Sequence, residues 1–187
     1  MCGRFRLTRA SKLAERFGIE AEDDWVPRYN IAPTQNVEVI RHHQEEPKRF
    51  GSQMRWGLIP FWAKDASSGI INARAETIAS KFSFRDALKK RRCLIPADGF
   101  YEWKKDGKVK TPFCFTMADD SIFAFAGLWE TWRNPAGNSS RRAPSSPARR
   151  TLCCRMSTTA CTSSCPMMFT TCGLTPACKR RTRCATC

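Results

Sequence analysis

Apolar and polar residues alternate through much of the first 132 positions, and the period lengthens in two places where helices are expected. Leu13, Ala14 and Phe17 fall on one helical face, Thr8 or Ser11 stands where a cap is needed, and Gly18 marks a natural stop. FRDALKKRR, at about residues 83 to 91, predicts a second short helix whose terminal positive charge suits a helix C-terminus. Strand signals dominate elsewhere. RYNIAPTQNVEVIR reads as an irregular turn around Pro33 followed by an alternating strand through Val37 and Val39. MRWGLIPFW, CLIPADGFYEW, TPFCFTM and SIFAFAGLWETW are rich in aromatic and branched residues and punctuated by Gly and Pro. The pattern predicts an α+β fold built mainly on antiparallel strands, with a few short helices and no internal repeat.

After Trp132 the pattern stops. Residues 133–187 are dominated by Arg, Ser, Thr, Cys, Pro and Ala, with no Ile, Val, His, Asp or Glu, and they show neither strand nor helix periodicity. This divides the chain into a domain at 1–132 and a basic tail at 133–187 that is expected to be disordered. Charge follows the same division. The formal net charge is +15, but residues 131 to 187 hold ten Lys/Arg and no acid, which leaves +5 on the first 130. The total therefore points to a polyanionic partner less strongly than it suggests.

The 187 residues suit one domain with a core of its own. No apolar run approaches the roughly eighteen residues of a membrane span, and MCGRFRLTRASK lacks the apolar stretch of a secretory signal, so a cytoplasmic protein with no membrane partner is expected. Eight of the eleven cysteines lie after residue 150, in a compartment that would keep them reduced, which argues against a disulfide framework.

Cys2 is the first candidate for chemistry. A residue this small after Met1 permits removal of the initiator, leaving an amine and a thiol on adjacent carbons at the terminus. An α-amine titrates near about pH 8, so a useful fraction is neutral and nucleophilic. It can condense with an aldehyde to an imine, on which the thiol can close to a thiazolidine ring. MCGR alone also fits a Cys at position 2 by chance. His42 and His43 fall in a polar stretch and read as solvated.

MCGRF, RYNIAPTQ at 28–35, RWGLIPFWAK at 55–64, INARAET at 71–77, RRCLIPADGFYEW at 91–103 and FAFAGLWETW at 123–132 resemble, in order and spacing, the SRAP family of SOS response-associated peptidase-like, abasic-site-processing proteins. The resemblance covers essentially all of residues 1–132. It implies a barrel-like core of antiparallel strands. It implies a protein that removes its own Met1, as a hydrolase, and crosslinks through Cys2 to the ring-opened aldehyde of an abasic site in single-stranded DNA, with lyase activity also open. Carried across by matching motifs, Cys2 is the nucleophile, Asn72 contacts it, and Glu102 is the acid/base residue. A Glu whose pKa is raised by Phe100, Tyr101 and Trp103 could both give and take the protons that imine formation requires. Without the resemblance, Glu102 reads as a solvent-facing strand residue. Arg4, Arg74 and Arg85 map to phosphate ligands, and Asn30 and Trp56 to the nucleotide channel. Basic grooves with aromatic platforms suit single strands, although Trp56, Trp62 and Phe84 taken one by one also fit a core. A monomer is implied, nucleoid-associated when bound to DNA, with no metal and no organic cofactor.

The chain departs from the family pattern after GLWETW, where a His-Asp-Arg-Met-like motif should supply a catalytic His. No His follows His43. Back-translating MSTTACTSSC, residues 156–165, and reading across the codon junctions accommodates Val-His-Asp-Arg-Met-His-Val-Ile-Leu, which closely resembles the missing motif. The tail therefore reads as the expected DNA in a shifted frame, with the shift near residues 133–147. Three other readings stay open. The tail could bind zinc or nucleic acid, Cys184 and Cys187 forming a single CxxC pair with irregular spacing elsewhere. Cys2 could serve as a peptidase nucleophile on other proteins, although that normally requires a His base. The chain could also be an inactive DNA-binding remnant.

Overall fold

The alternation in RFRL is a strand, β1 (Arg4–Leu7), with Phe5 and Leu7 buried and Arg4 and Arg6 half-buried. The structure, a computed structural model, describes residues 3–20, 26–42, 48–60, 62–64 and 69–132, and the backbone of two further strands at 148–155 and 180–183. Cys2, His43, the junction at 133–147, residues 156–165 and the pair Cys184 and Cys187 lie outside the described residues.

A 3-10 turn at Ala10–Lys12 leads into α1 (Leu13–Phe17), which buries Leu13 and Phe17. Gly18 ends it at φ 63°, donating its N–H to the Ala14 carbonyl, so the expected stop is present for the reason that favours glycine there. Neither Thr8 nor Ser11 caps the segment, because neither helical turn has a side-chain cap hydrogen bond. The residue at the cap position is Arg9, and the Thr8 hydroxyl, outside the helix, donates to the buried Asp98 carboxylate.

Strands β2 (Arg28–Ile31), β3 (Asn36–His42) and β4 (Arg49–Trp56) follow. His42 is exposed at the end of β3. At Gly57, φ 130°, the chain leaves β4, and Leu58 forms an isolated antiparallel bridge with Ile70 outside the sheets. Then come β5 (Asn72–Arg74), α2 (Ala75–Ile78) and α3 (Phe82–Lys90), the last within a residue of its expected span. CLIPADGFYEW is two strands rather than one. β6 (Arg92–Ala97) belongs to one sheet, β7 (Gly99–Asp106) to the other, and the chain changes sheet at Asp98. β8 (Val109–Thr116) and β9 (Phe123–Trp132) complete the first 132 residues.

Two segments of the tail nonetheless add strands, β10 (Ala148–Arg155) and β11 (Arg180–Arg183), where no periodicity predicted any. Strand pairing is a backbone property and needs no alternation of side chains. One sheet has the order β11-β8-β7-β1-β2; the other runs β4-β3-β6-β9-β10-β5 and curls until β10 also pairs with β4. All pairings are antiparallel except those of β10 with β4 and β5, which is the barrel-like, mainly antiparallel α+β architecture expected. The main core joins Phe5, Leu7 and Ile31 of one sheet to Val37, Val39, Met54, Trp56 and Ile95 of the other, with Leu13 and Phe17 of α1. A second cluster packs α2 and α3 through Ile78, Phe84 and Ala87 against Leu58, Ala73 and Leu128.

The sheets are tied at the corner between β6 and β7. Asp98 is 0% exposed. Its Oδ2 accepts the Thr8 N–H at 2.6 Å, the Thr8 hydroxyl at 2.7 Å and the Arg9 N–H at 2.9 Å, while Oδ1 lies 3.1 Å from Arg6 Nε. The Asp98 N–H in turn donates to the Arg6 carbonyl at 3.1 Å. One carboxylate thus holds the end of β1 and the chain leading to α1. Asp98→Ala would leave buried donors and a cation without their acceptor. Chemical denaturation is expected to show a loss of about 3–5 kcal/mol in unfolding free energy. A loss below about 1 kcal/mol would mean that β1 is held by its strand pairing alone.

Candidate active site and nucleic-acid interface

Register places the start of β1 beside the middle of β7. Arg4 pairs with Tyr101, Phe5 with Phe100 and Arg6 with Gly99, so one further step in the same register brings Gly3 level with Glu102. Side chains alternate across a strand. Phe100 and Phe5 share the face that meets the second sheet, where Phe5 packs edge-on against Trp56 at 5.3 Å and Phe125 at 5.9 Å. Glu102, two residues on from Phe100, is on that face and half-buried. Tyr101 points the other way, and its hydroxyl crosses to the Tyr29 carbonyl of β2 at 2.8 Å, bracing the strands on either side of β1.

Trp56 is 1% exposed and sits at the meeting point of several segments. Its indole N–H donates to the Ile71 carbonyl at 2.8 Å, fixing the residue before Asn72. Its backbone N–H donates to the Gln35 carbonyl at 2.8 Å, and its carbonyl accepts the Thr34 N–H at 2.9 Å, fixing the loop that follows Asn30. Thr34 has φ 73°, an uncommon conformation for a β-branched residue, and the surrounding bonds hold it there. Gln35 contributes to them, its Oε1 accepting from Ala32 N–H at 3.1 Å and Arg28 Nη2 at 2.7 Å. Because Ala73 faces the α2 and α3 cluster, Asn72 and Arg74 lie on the opposite face of β5. Phe5, Trp56 and Ile71 therefore link the start of β1 to Asn72, and register adds Glu102.

The surface residues divide differently. Asn30 and Arg74 are exposed at the ends of their segments, Arg4 is half-buried, and Arg85 is exposed on α3 with its guanidinium 5.4 Å from the centre of the exposed Phe82 ring. Trp56 is not open as a stacking surface, since its ring is enclosed in the core, and Phe84 is likewise buried. Of the three aromatic residues in question only Trp62 presents its ring, at 55% exposure. The structure adds Tyr29, 65% exposed next to Asn30, and Trp103, 42% exposed next to Glu102. The polar neighbours of Tyr29 in RYN, and the lysines after Trp103, are the sequence signals that could have found them. Asp98 and Tyr101 were missed as positioning residues because their partners lie far away along the chain.

Two sheets thus meet around a basic N-terminal strand, with Glu102 half-buried beside the residue that pairs with Arg4 and with the residue before Asn72 tied to Trp56. The chain belongs to the SRAP family: the family model described as SOS response associated peptidase (SRAP) matches residues 1–165. It is 48% identical over 145 residues to the abasic site processing protein YoqW of Bacillus subtilis, covering 74% of this chain and 64% of that protein. It is 30% identical over 180 residues to the abasic site processing protein HMCES of Gallus gallus, covering 73% of this chain and 54% of the other. The chain thus spans less than two thirds of the length of either relative. Among solved structures, a protein from Bacteroides thetaiotaomicron superposes with TM-score 0.68 at 25% identity, covering 82% of this chain and 67% of that one. A Bordetella bronchiseptica protein gives 0.61 at 29%, over 82% and 71%.

Trp56→Phe keeps a ring of similar packing but removes the N–H that reaches Ile71. Unfolding free energy is expected to fall by about 1–3 kcal/mol, read by urea denaturation. A neutral result would show that the indole hydrogen bond does not hold β5.

Proposed function

We propose that this protein processes abasic sites in single-stranded DNA by reacting through its own N-terminus. The observation that carries the reading is the register of β1 on β7, in which Arg4 pairs with Tyr101, the neighbour of Glu102. The relatives named as abasic site processing proteins support the substrate. Hydrolysis of the Met1–Cys2 amide frees the Cys2 amine. The amine adds to the aldehyde carbon of the ring-opened sugar, and Glu102 protonates the hydroxyl that leaves as water, giving an imine. The Cys2 thiol then adds to the imine carbon, its proton passes to the nitrogen, and a thiazolidine results. Asn72, held by the Trp56–Ile71 bond, orients Cys2. Arg4, Arg74 and Arg85 bind phosphates, Asn30 lines the nucleotide channel, and Trp56 supports that channel from beneath. The protein acts as a monomer in the cytoplasm, nucleoid-associated when on DNA.

One observation favours a second reading, a DNA-binding remnant: no His follows His43, so the expected catalytic imidazole is missing from the sequence. Intact mass with and without a single-stranded oligonucleotide carrying one abasic site separates the two. The expected outcome is a chain lacking Met1 that gains the oligonucleotide mass less one water, and no adduct from Cys2→Ala. A processed chain that binds the oligonucleotide but forms no adduct would leave the remnant.

A further inference from the structure

The hairpin that carries Glu102 ends in a cationic ridge with no role in the reaction above. β7 and β8 remain in one register from Phe100 opposite Phe115 to Asp106 opposite Val109, which places Lys105 directly opposite Lys110. Gly107, at φ 58°, and Lys108 form the turn. Lys104, Lys105, Lys108 and Lys110 are all exposed, and Asp106 is the one acid among residues 103–110. Among the described residues none of these four lysines makes a salt bridge or a side-chain hydrogen bond.

Directly opposed like charges on a strand pair repel and weaken the hairpin. Folding alone gives no reason to put two lysines there, and a local rule broken without compensation within the fold points to function. Register also gives the ridge a direction. Tyr101, Trp103 and Lys105 share one face of β7, and their partners Arg4, Pro112 and Lys110 share it too. That face therefore runs from Arg4, past the exposed Trp103, to the lysine pair. At about 3.3 Å per residue, Lys105 stands roughly 10 Å beyond Glu102 along the strand axis and on the opposite face of β7, so a strand that runs from the reacting position to the ridge passes around the hairpin.

We propose that Lys105 and Lys110, with Lys108 at the turn, form a phosphate-binding ridge for the backbone of the single strand beyond the reacting nucleotide. A polyanion laid along the ridge relieves the repulsion between the two ammonium groups, so the same pair that weakens the free hairpin strengthens the complex. The proposal rests on the reading that single-stranded DNA is the partner, and it concerns non-covalent binding rather than the reaction.

The test compares wild type with Lys105→Gln/Lys110→Gln. Binding to an undamaged single-stranded oligonucleotide is followed by fluorescence anisotropy across a salt series, alongside the thermal midpoint of each protein. Each lost phosphate contact makes the slope of log affinity against log salt shallower by about 0.7 for single strands. The expected result is a slope shallower by about 1.4, with a thermal midpoint equal to or above that of wild type because the like-charge pair is gone. An unchanged slope in the folded variant would overturn the ridge. So would a change seen only on an oligonucleotide with a duplex flank, because the ridge would then grip duplex DNA. Adduct formation on abasic DNA is measured separately. Loss of the slope with no adduct in wild type leaves the ridge standing and removes the reaction, whereas a normal adduct with an unchanged slope does the reverse.

Discussion

The buried carboxylate of Asp98 is the constraint on which the rest of the structure depends. A charge with no exposure is tolerable only when it is compensated, and here two backbone N–H groups and a hydroxyl donate to Oδ2 while the Arg6 guanidinium forms an ion pair with Oδ1, all from residues 6 to 9. Because Asp98 is also the corner at which the chain crosses from one sheet to the other, those contacts fix β1 relative to both layers. Gly99 follows from this arrangement. The Arg6 side chain passes where a Cβ on residue 99 would be, 2.7 Å from Nε, with Cys114 Sγ 3.2 Å from the same point, so a larger residue requires both side chains to shift. The Asp-Gly pair is thus a docking point for β1, and the proposed chemistry depends on how firmly that strand is docked.

Around that anchor, the sheets position different parts of the site. β1 and β7 set Arg4 opposite Tyr101, the neighbour of Glu102, while Trp56 on the facing sheet holds the loop after Asn30 and the residue before Asn72. Rigidity is concentrated in the interior, where Phe5 and Trp56 interlock. The features that weaken the fold lie at the periphery, in the left-handed Thr34 and the opposed Lys105 and Lys110. That distribution suits the proposed reaction, which requires reacting groups held still beneath a surface that accommodates a strand.

Much of this was legible locally. Gly18 as a stop, α3 within a residue of its span, and the aromatic strands followed from periodicity and turn chemistry, because those signals act within a few residues. β1 and α2 are too short for periodicity to mark, and β10 carries no alternation. Asp98 gave no local signal, since its partners lie about ninety residues away and only the folded chain unites them. For the site, Asn72 and Glu102 came from family resemblance and not from physics, and their placement on facing surfaces required the register. Trp56 shows where residue type misleads: an indole fits a stacking platform and a core equally well, and burial decides between them.

The claim that docking of β1 places the chemistry is tested most directly by the rate of adduct formation on a single-stranded abasic oligonucleotide for Gly99→Ala, measured where circular dichroism shows the variant folded. The substitution changes no group that the proposed reaction uses; its Cβ meets Arg6 Nε most closely, at 2.7 Å, and Cys114 Sγ at 3.2 Å, so it acts chiefly on the pairing of Arg6 with Asp98. The account expects the rate to fall by about tenfold or more, because small misplacements of a reacting group are amplified in the barrier. A folded Gly99→Ala protein that reacts at the wild-type rate would contradict it.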